Sequence, residues 1–400
     1  MKPSLFILIA LALNLSVSAQ RGSIPREKTR NKYVTNYPQH IDFQPYMVKQ
    51  LKVPKGWEVS VVAYGLGKPR MLYAGEPGTL YVTRRDAGDV LLLKDKDGDS
   101  KFEELQTVAA DFPGVHGITM KDGWMYLCNN NQLRRYKMKP DGTLEADCDT
   151  LIANLPNGGQ HANRTMDFGP DGMLYLSIGS TCNDCKESDK EMAAMVKIDP
   201  STWKRTIYAA GLRNTIGFDW HPQTKEMWGP DNGSDAKGSH WPPEELNRIQ
   251  DGVNYGFPYA YGNKKKIDYS REDPSGDSKE LVVKHTQGSV MEFKAHSAPI
   301  GFRFFPVNSG EIMSGDALVC WHGSWNRSHP RGFKVEWIQF RNGTAVKSKD
   351  FVTGFLRPGF LFFRRKARFG RPTGVEITNG GVVYISDDAN GVIYAVKKSN

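Results

Sequence analysis

Apolar residues in this chain fall in short runs whose neighbours alternate in polarity, and glycine punctuates the runs. Arg70 opens MLYAGEPGTLYVTRRDAGDVLLLK and Arg371 opens PTGVEITNGGVVYISDDANGVIYAV. Each stretch reads as three strands joined by glycine turns, because period-two alternation marks a strand and Gly tolerates the backbone angles of tight turns. Leu80 and Val82 point one way along their segment, as do Leu174 and Leu176, while their neighbours point the other. Weaker copies begin at His116, Arg164, Arg213 and near Ala298. The early units recur roughly every 45–50 residues, a period typical of propeller blades, and two larger insertions separate the later ones.

Six such units predict an all-β, six-bladed β-propeller, in which radial repetition leaves only short, protected strand edges. The last unit supplies three strands before the chain ends at Asn400, and Trp57–Tyr64 (WEVSVVAY) is a strand pattern without a partner in the first unit. This early strand is therefore expected to complete the last blade and close the ring. The division that follows is a leader over 1–19, an extended segment over 20–52 and one propeller domain over 53–400.

The repeat gathers chemistry. The first strand of each blade lines the central channel, so the residues leading into these strands converge on one mouth. They are Arg70, His116, His161 with Arg164, Arg213 with Asn214, Ala298 with Pro299, and Arg371. Such a pocket is built for an anion with several oxygens, because guanidinium forks meet carboxylates or phosphates through paired hydrogen bonds. In this setting His161 becomes a candidate general base, since neighbouring positive charge keeps imidazole neutral and able to accept a proton. Without the repeat, a strand-end histidine bonded to a backbone carbonyl is the favoured reading, and His116 carries the general-base argument more weakly.

Composition narrows the setting. With 39% apolar residues, the 400-residue chain can bury a large core. The net charge of +9 is dispersed, and the one dense cluster, Arg364, Arg365, Lys366 and Arg368, reads as a solvated loop instead of a nucleic-acid arm. Lys2, the apolar run Leu5–Leu15 and Ser16–Ala19 form a secretory signal cleaved near Ala19, and the run is too short to span a membrane. The expected destination is the periplasm or the exterior. In such a compartment Cys182 and Cys185 are close enough to form a local disulfide. Asp95, Asp97 and Asp99 form a candidate calcium loop, but Ser100 stands where an EF-hand requires Gly, which favours a charged hairpin turn.

The stretches GGQHANRTMDFGPDGMLYLSIGS, LRNTIGFDWHP, GPDNGSD, PPEELNRI, NYGFPY, HSAPIGF, HGSWNRS and GRPTGVEI, in this order, resemble the glucose/sorbosone dehydrogenase family over about residues 53–396. These are exported propellers that use pyrroloquinoline quinone (PQQ) with calcium. The resemblance implies a dehydrogenase that oxidises a hydroxyl of a sugar or polyol. His161 would be the base, and Arg213, Asn214, Arg327 and Arg371 would contact the cofactor, joined by Arg70 and Arg164 from the repeat positions. Calcium would be held by the carbonyls of Gly233 and Ser234, and electrons would leave to a separate acceptor, since Lys186 stands where a c-type haem motif needs His. Two other readings stay open: a propeller hydrolase of the lactonase type, and a surface binding module without catalysis.

Overall fold

Strand pairing in the computed structural model, which describes residues 35–399 apart from 272, 273, 275, 308, 310–312 and 358–365, follows the repeat closely. The fold is nearly all-β. The first sheet runs Leu72–Ala74, Thr79–Arg84, Asp89–Lys94 and Glu104–Ala109, antiparallel in chain order. The second begins at Gly117–Lys121 and the third at Arg164–Phe168, where Val253–Asn254 adds a fifth strand parallel to Arg205–Ala210. The fourth begins at Asp219–Trp220, the fifth at Pro299–Phe304 and the sixth at Pro372–Ile377. Trp57–Ala63 forms the outer strand of this sixth sheet, antiparallel to Val392–Lys398, with Val61 opposite Tyr394. Tyr33–Asn400 is one compact unit; the leader lies outside the described residues.

Alternation along each strand has a different outcome from a sheet with one wet face. Leu80 and Val82 pack toward the sixth sheet, while Tyr81 between them packs toward the second. Both faces of such inner strands are buried because each of these six sheets packs against another on either side. Six apolar clusters fill the six junctions: first with second, second with third, third with fourth, fourth with fifth, fifth with sixth, and sixth with first. Each fully buried Leu, Val or Phe there contributes about 1.5–3 kcal/mol.

Glycine in the strand-leading motifs has a packing cause. A Cβ on Gly301 would lie 2.6 Å from the carbonyl oxygen of Thr373, and one on Gly374 would strike that of Arg70. The innermost strands therefore touch backbone to backbone, which only glycine permits. Residues 35–52 are less extended than their sequence implies. Pro45–Gln50 is a 3-10 helix whose Met47, followed by Leu51, enters the core between the fifth and sixth sheets.

Candidate functional site

The six strand-leading positions are joined by one chain of polar contacts that returns to its start. Nη2 of Arg70 is 3.4 Å from Nε2 of His116, whose Nδ1 is 3.1 Å from the carbonyl of Arg164. Arg164 donates from Nη1 to the carbonyl of His161 at 2.8 Å, His161 meets Ser180, and the N–H of Ser180 donates to the carbonyl of Arg213. Asn232 then donates from Nδ2 to the carbonyls of both Asn214 and Pro299. His322 and Gly323 donate their N–H groups to Ala298 and Ser297, and their carbonyls accept from Nε and Nη2 of Arg371. Asp388, just past the sixth sheet's second strand, meets Nε2 of His322 at 2.7 Å and closes the circuit on Nη1 of Arg70 at 2.6 Å.

His161 is held in one protonation form. The carbonyl of Ser180 lies 3.0 Å from Nδ1 and its Oγ 2.8 Å. A carbonyl can only accept, so the proton sits on Nδ1 and Nε2 keeps its lone pair. Oγ of Ser180 donates onward to the carbonyl of Cys182 at 2.7 Å, which leaves it an acceptor toward the ring. Burial, then the Arg213 charge, lower the imidazole pKa to about 4. Nε2 meets no hydrogen-bond partner among the described residues. Gly179 sets the spacing: a Cβ there would lie 2.6 Å from Cβ of His161 and 2.7 Å from Oδ1 of Asn214.

Arg213 and Asn214 are fixed from the backbone outward. Asp231 accepts from both of their N–H groups and from Oγ1 of Thr215, and burial raises its carboxyl pKa to about 6. The Arg213 side chain donates from Nε and Nη2 to Asn183 and from Nη1 to the carbonyl of Asn232. Five donors less three leave one N–H on each terminal nitrogen. Asn183 sits between Cys182 and Cys185, which are joined by a disulfide. Beside it, Glu244 accepts from the N–H groups of Gly233, Ser297 and Ala298, and burial raises its pKa to about 7. The carbonyls of Gly233 and Ser234 receive no donor among the described residues, and Ser234 is fully buried.

A cavity of about 450 Å³ opens beside Arg70 and Arg371 and is also lined by Lys68, Arg85, Arg368 and Asp388. Asp388 balances part of this charge. Against the effect of burial, His322, Arg70 and Arg371 hold its pKa well below the usual carboxylate range. Burial also lowers Arg371 to about 10 and His322 to about 4, so the neutral His322 ring carries its proton on Nε2 and donates it to Asp388 at 2.7 Å.

The description TrAA12-like belongs to the family model that matches residues 51–399. The chain belongs to the TrAA12-like family. It is 28% identical to an uncharacterized protein of Borreliella burgdorferi, over 86% of this chain and 90% of that protein. It is 22% identical to a pyrroloquinoline quinone-dependent sugar dehydrogenase of Hypocrea jecorina, over 86% of this chain and 88% of the relative. Its fold is similar to that of a Trichoderma reesei protein of carbohydrate-active enzymes family AA12 solved with iodide. The TM-score is 0.73 at 21% identity, covering 91% of this chain and 100% of that one.

Within this TrAA12-like chain two expected cofactor contacts lie elsewhere. Arg164 is fully buried and spends its guanidinium on the carbonyls of His161, Asn163 and Pro156, so it supports the His161 loop from beneath. Arg327 is also buried; it donates to the carbonyls of Ala295 and His329 and lines a separate cavity of about 350 Å³ with His240 and Trp241. His322 and Asp388 were not among the expected residues. Antiparallel register could have found them: the second strand of a sheet ends where its first begins, as Pro372 opposite Asp387 and Pro299 opposite Trp321. The TrAA12-like mouth is thus built from both strands.

Proposed function

We propose that the six sheets are blades of one closed propeller and that its mouth is the site of a PQQ- and calcium-dependent dehydrogenase acting on a hydroxyl of a sugar or related polyol. The observation that carries this reading is a neutral His161 with a free Nε2 lone pair beside the Arg213 guanidinium. Similarity to the pyrroloquinoline quinone-dependent sugar dehydrogenase of Hypocrea jecorina supports the cofactor and the substrate class. Arg371, Arg70 and Arg213, with Asn214, would hold the carboxylates of the quinone, and Gly233 and Ser234 would offer carbonyls to calcium. When bound, PQQ supplies hydride acceptance and calcium supplies Lewis-acid polarisation.

The protein's own part is proton and position. Nε2 of His161 takes the hydroxyl proton, and the imidazolium formed is destabilised by burial and by Arg213, which favours its return to the neutral form. Arg164 and Ser180 keep the ring in place while this happens. Export rests on the amino-terminal pattern, and electrons pass to a separate acceptor. A lactonase-type reading needs a carboxylate cage for its metal, whereas Asp231 and Glu244 here already accept backbone N–H groups.

The test is to add PQQ and calcium to purified apoprotein and follow dye reduction with aldoses, sorbosone and polyols. Turnover that His161→Ala removes, with PQQ affinity nearly intact, supports the reading. Absence of PQQ binding at micromolar concentration overturns it.

A further inference from the structure

The four residues Cys182–Cys185 touch three separate parts of the mouth. The carbonyl of Cys182 orients the Ser180 hydroxyl that faces His161. The carbonyl of Asn183 accepts from Nε of Arg213 at 2.7 Å, and its Oδ1 accepts both from Nη2 of Arg213 at 2.9 Å and from the N–H of Asp235 at 2.7 Å. Its Nδ2 donates to the carbonyl of Asp235 at 3.1 Å. Asp184 pairs with Lys237 at 2.5 Å and Arg271 at 2.8 Å, and it accepts from the hydroxyl of Tyr261, which in turn meets Oγ of Ser234 at 2.7 Å.

A side chain with one carbonyl oxygen and one NH2 group cannot make these three contacts from several conformations. Asn183 uses its backbone carbonyl, its side-chain oxygen and its nitrogen on only two residues, Arg213 and Asp235. The disulfide spans Asn183 and Asp184, with Cα atoms of the two cysteines 5.9 Å apart, and so restricts the backbone that aims them.

We propose that Asn183 is a positioning residue that sets the Arg213 guanidinium and the Ser234–Asp235 backbone in one geometry, and that the Cys182–Cys185 disulfide maintains it. It acts through these two neighbours. Reduction by a dithiol breaks the S–S bond: two electrons and two protons pass to the cysteines, and the dithiol becomes a disulfide. The mouth then loses its fixed arrangement without loss of any group that carries charge.

This inference rests on the proposed function for its activity readout only, so the experiment has an arm that needs no cofactor. In apoprotein, hydrogen exchange at the Asp235 N–H is followed by NMR. Asn183→Ala accelerates it by about tenfold, while amides of the strand ladders stay protected. Asn183→Asp keeps both acceptor roles but loses the Nδ2–H given to the Asp235 carbonyl, so its exchange falls between wild type and Asn183→Ala. With PQQ and calcium, Asn183→Ala lowers turnover by about 10–100-fold, the range for residues that orient a site's direct contacts, and Asn183→Asp restores part of it. Dithiothreitol-treated protein and the double variant Cys182→Ser/Cys185→Ser behave like Asn183→Ala. Unchanged Asp235 exchange in Asn183→Ala overturns the proposal, and so does an Asn183→Asp variant no better protected at Asp235 than Asn183→Ala. If wild-type protein shows no PQQ-dependent turnover, the proposed function fails while the exchange arm still decides the role of Asn183.

Discussion

Arg70 and Asp388 stand 318 positions apart and meet at 2.6 Å, joining the first sheet to the sixth. The pair is largely withdrawn from water, with 10% and 14% of the side chains exposed, and Asp388 also holds Nε2 of His322. Removing one partner of such a pair leaves a buried charge without compensation, which costs about 3–5 kcal/mol.

Asp388→Asn is therefore expected to lower stability by about that amount at pH 7 in urea melts. The pH dependence follows from the direction of the shift. A carboxyl held below its ordinary 3.8 contributes stability above that pH and loses it as pH falls through the folded-state value. The gap between variant and wild type should be widest near neutrality and shrink below about pH 4. A gap that is independent of pH would show that Asp388 acts by shape alone.

Arg164 gives a second prediction. Three loop carbonyls lose a buried donor in Arg164→Leu, each unsatisfied group costing about 1–3 kcal/mol. The variant should melt earlier by an amount corresponding to at least about 3 kcal/mol, yet PQQ titration of the folded protein should give an unchanged affinity. A selective loss of affinity at unchanged melting would return Arg164 to the cofactor.

The pH profile of kcat/KM reports the base. With the pKa of His161 lowered to about 4 by burial and by Arg213, activity should rise with pH through about 4 and be flat above about 5. A midpoint near the ordinary 6.5 would mean an imidazole exposed to water and away from Arg213. Ser180→Ala removes the 2.8 Å contact but keeps the carbonyl at 3.0 Å, so turnover should fall by about tenfold while the midpoint stays low.

Gly179 carries no chemistry, yet its substitution should be severe. The Cβ of Gly179→Ala would press on His161 and Asn214 together, and displacing a reacting group by about 1 Å costs about 10²-fold in rate. Steady-state kinetics on a variant with near-normal melting would show a large fall in kcat. Rates within a few-fold of wild type would mean that the two residues can shift without consequence.

What the sequence determined by itself was periodic or local. Alternation and glycine turns set the strands of the repeat, because a strand's period and a turn's backbone angles are properties of adjacent residues. The unpaired Trp57–Tyr64 pattern pointed to the partner found at Val392–Lys398, and the repeat picked out strand-leading positions that polar contacts link from sheet to sheet, as Arg70 to His116 and His116 to Arg164. Only the tertiary structure decided which of these cations face the cavity. Arg164 and Arg371 both lead into first strands, yet one is consumed by carbonyls of its own loop and the other lines the open pocket. Arg371 finds its acceptors on a distant segment, the carbonyls of His322 and Gly323, and the positions of His322, Asp388 and Asn183 likewise depend on contacts between segments. Such pairings join residues distant in the chain, and no spacing within a single segment encodes them.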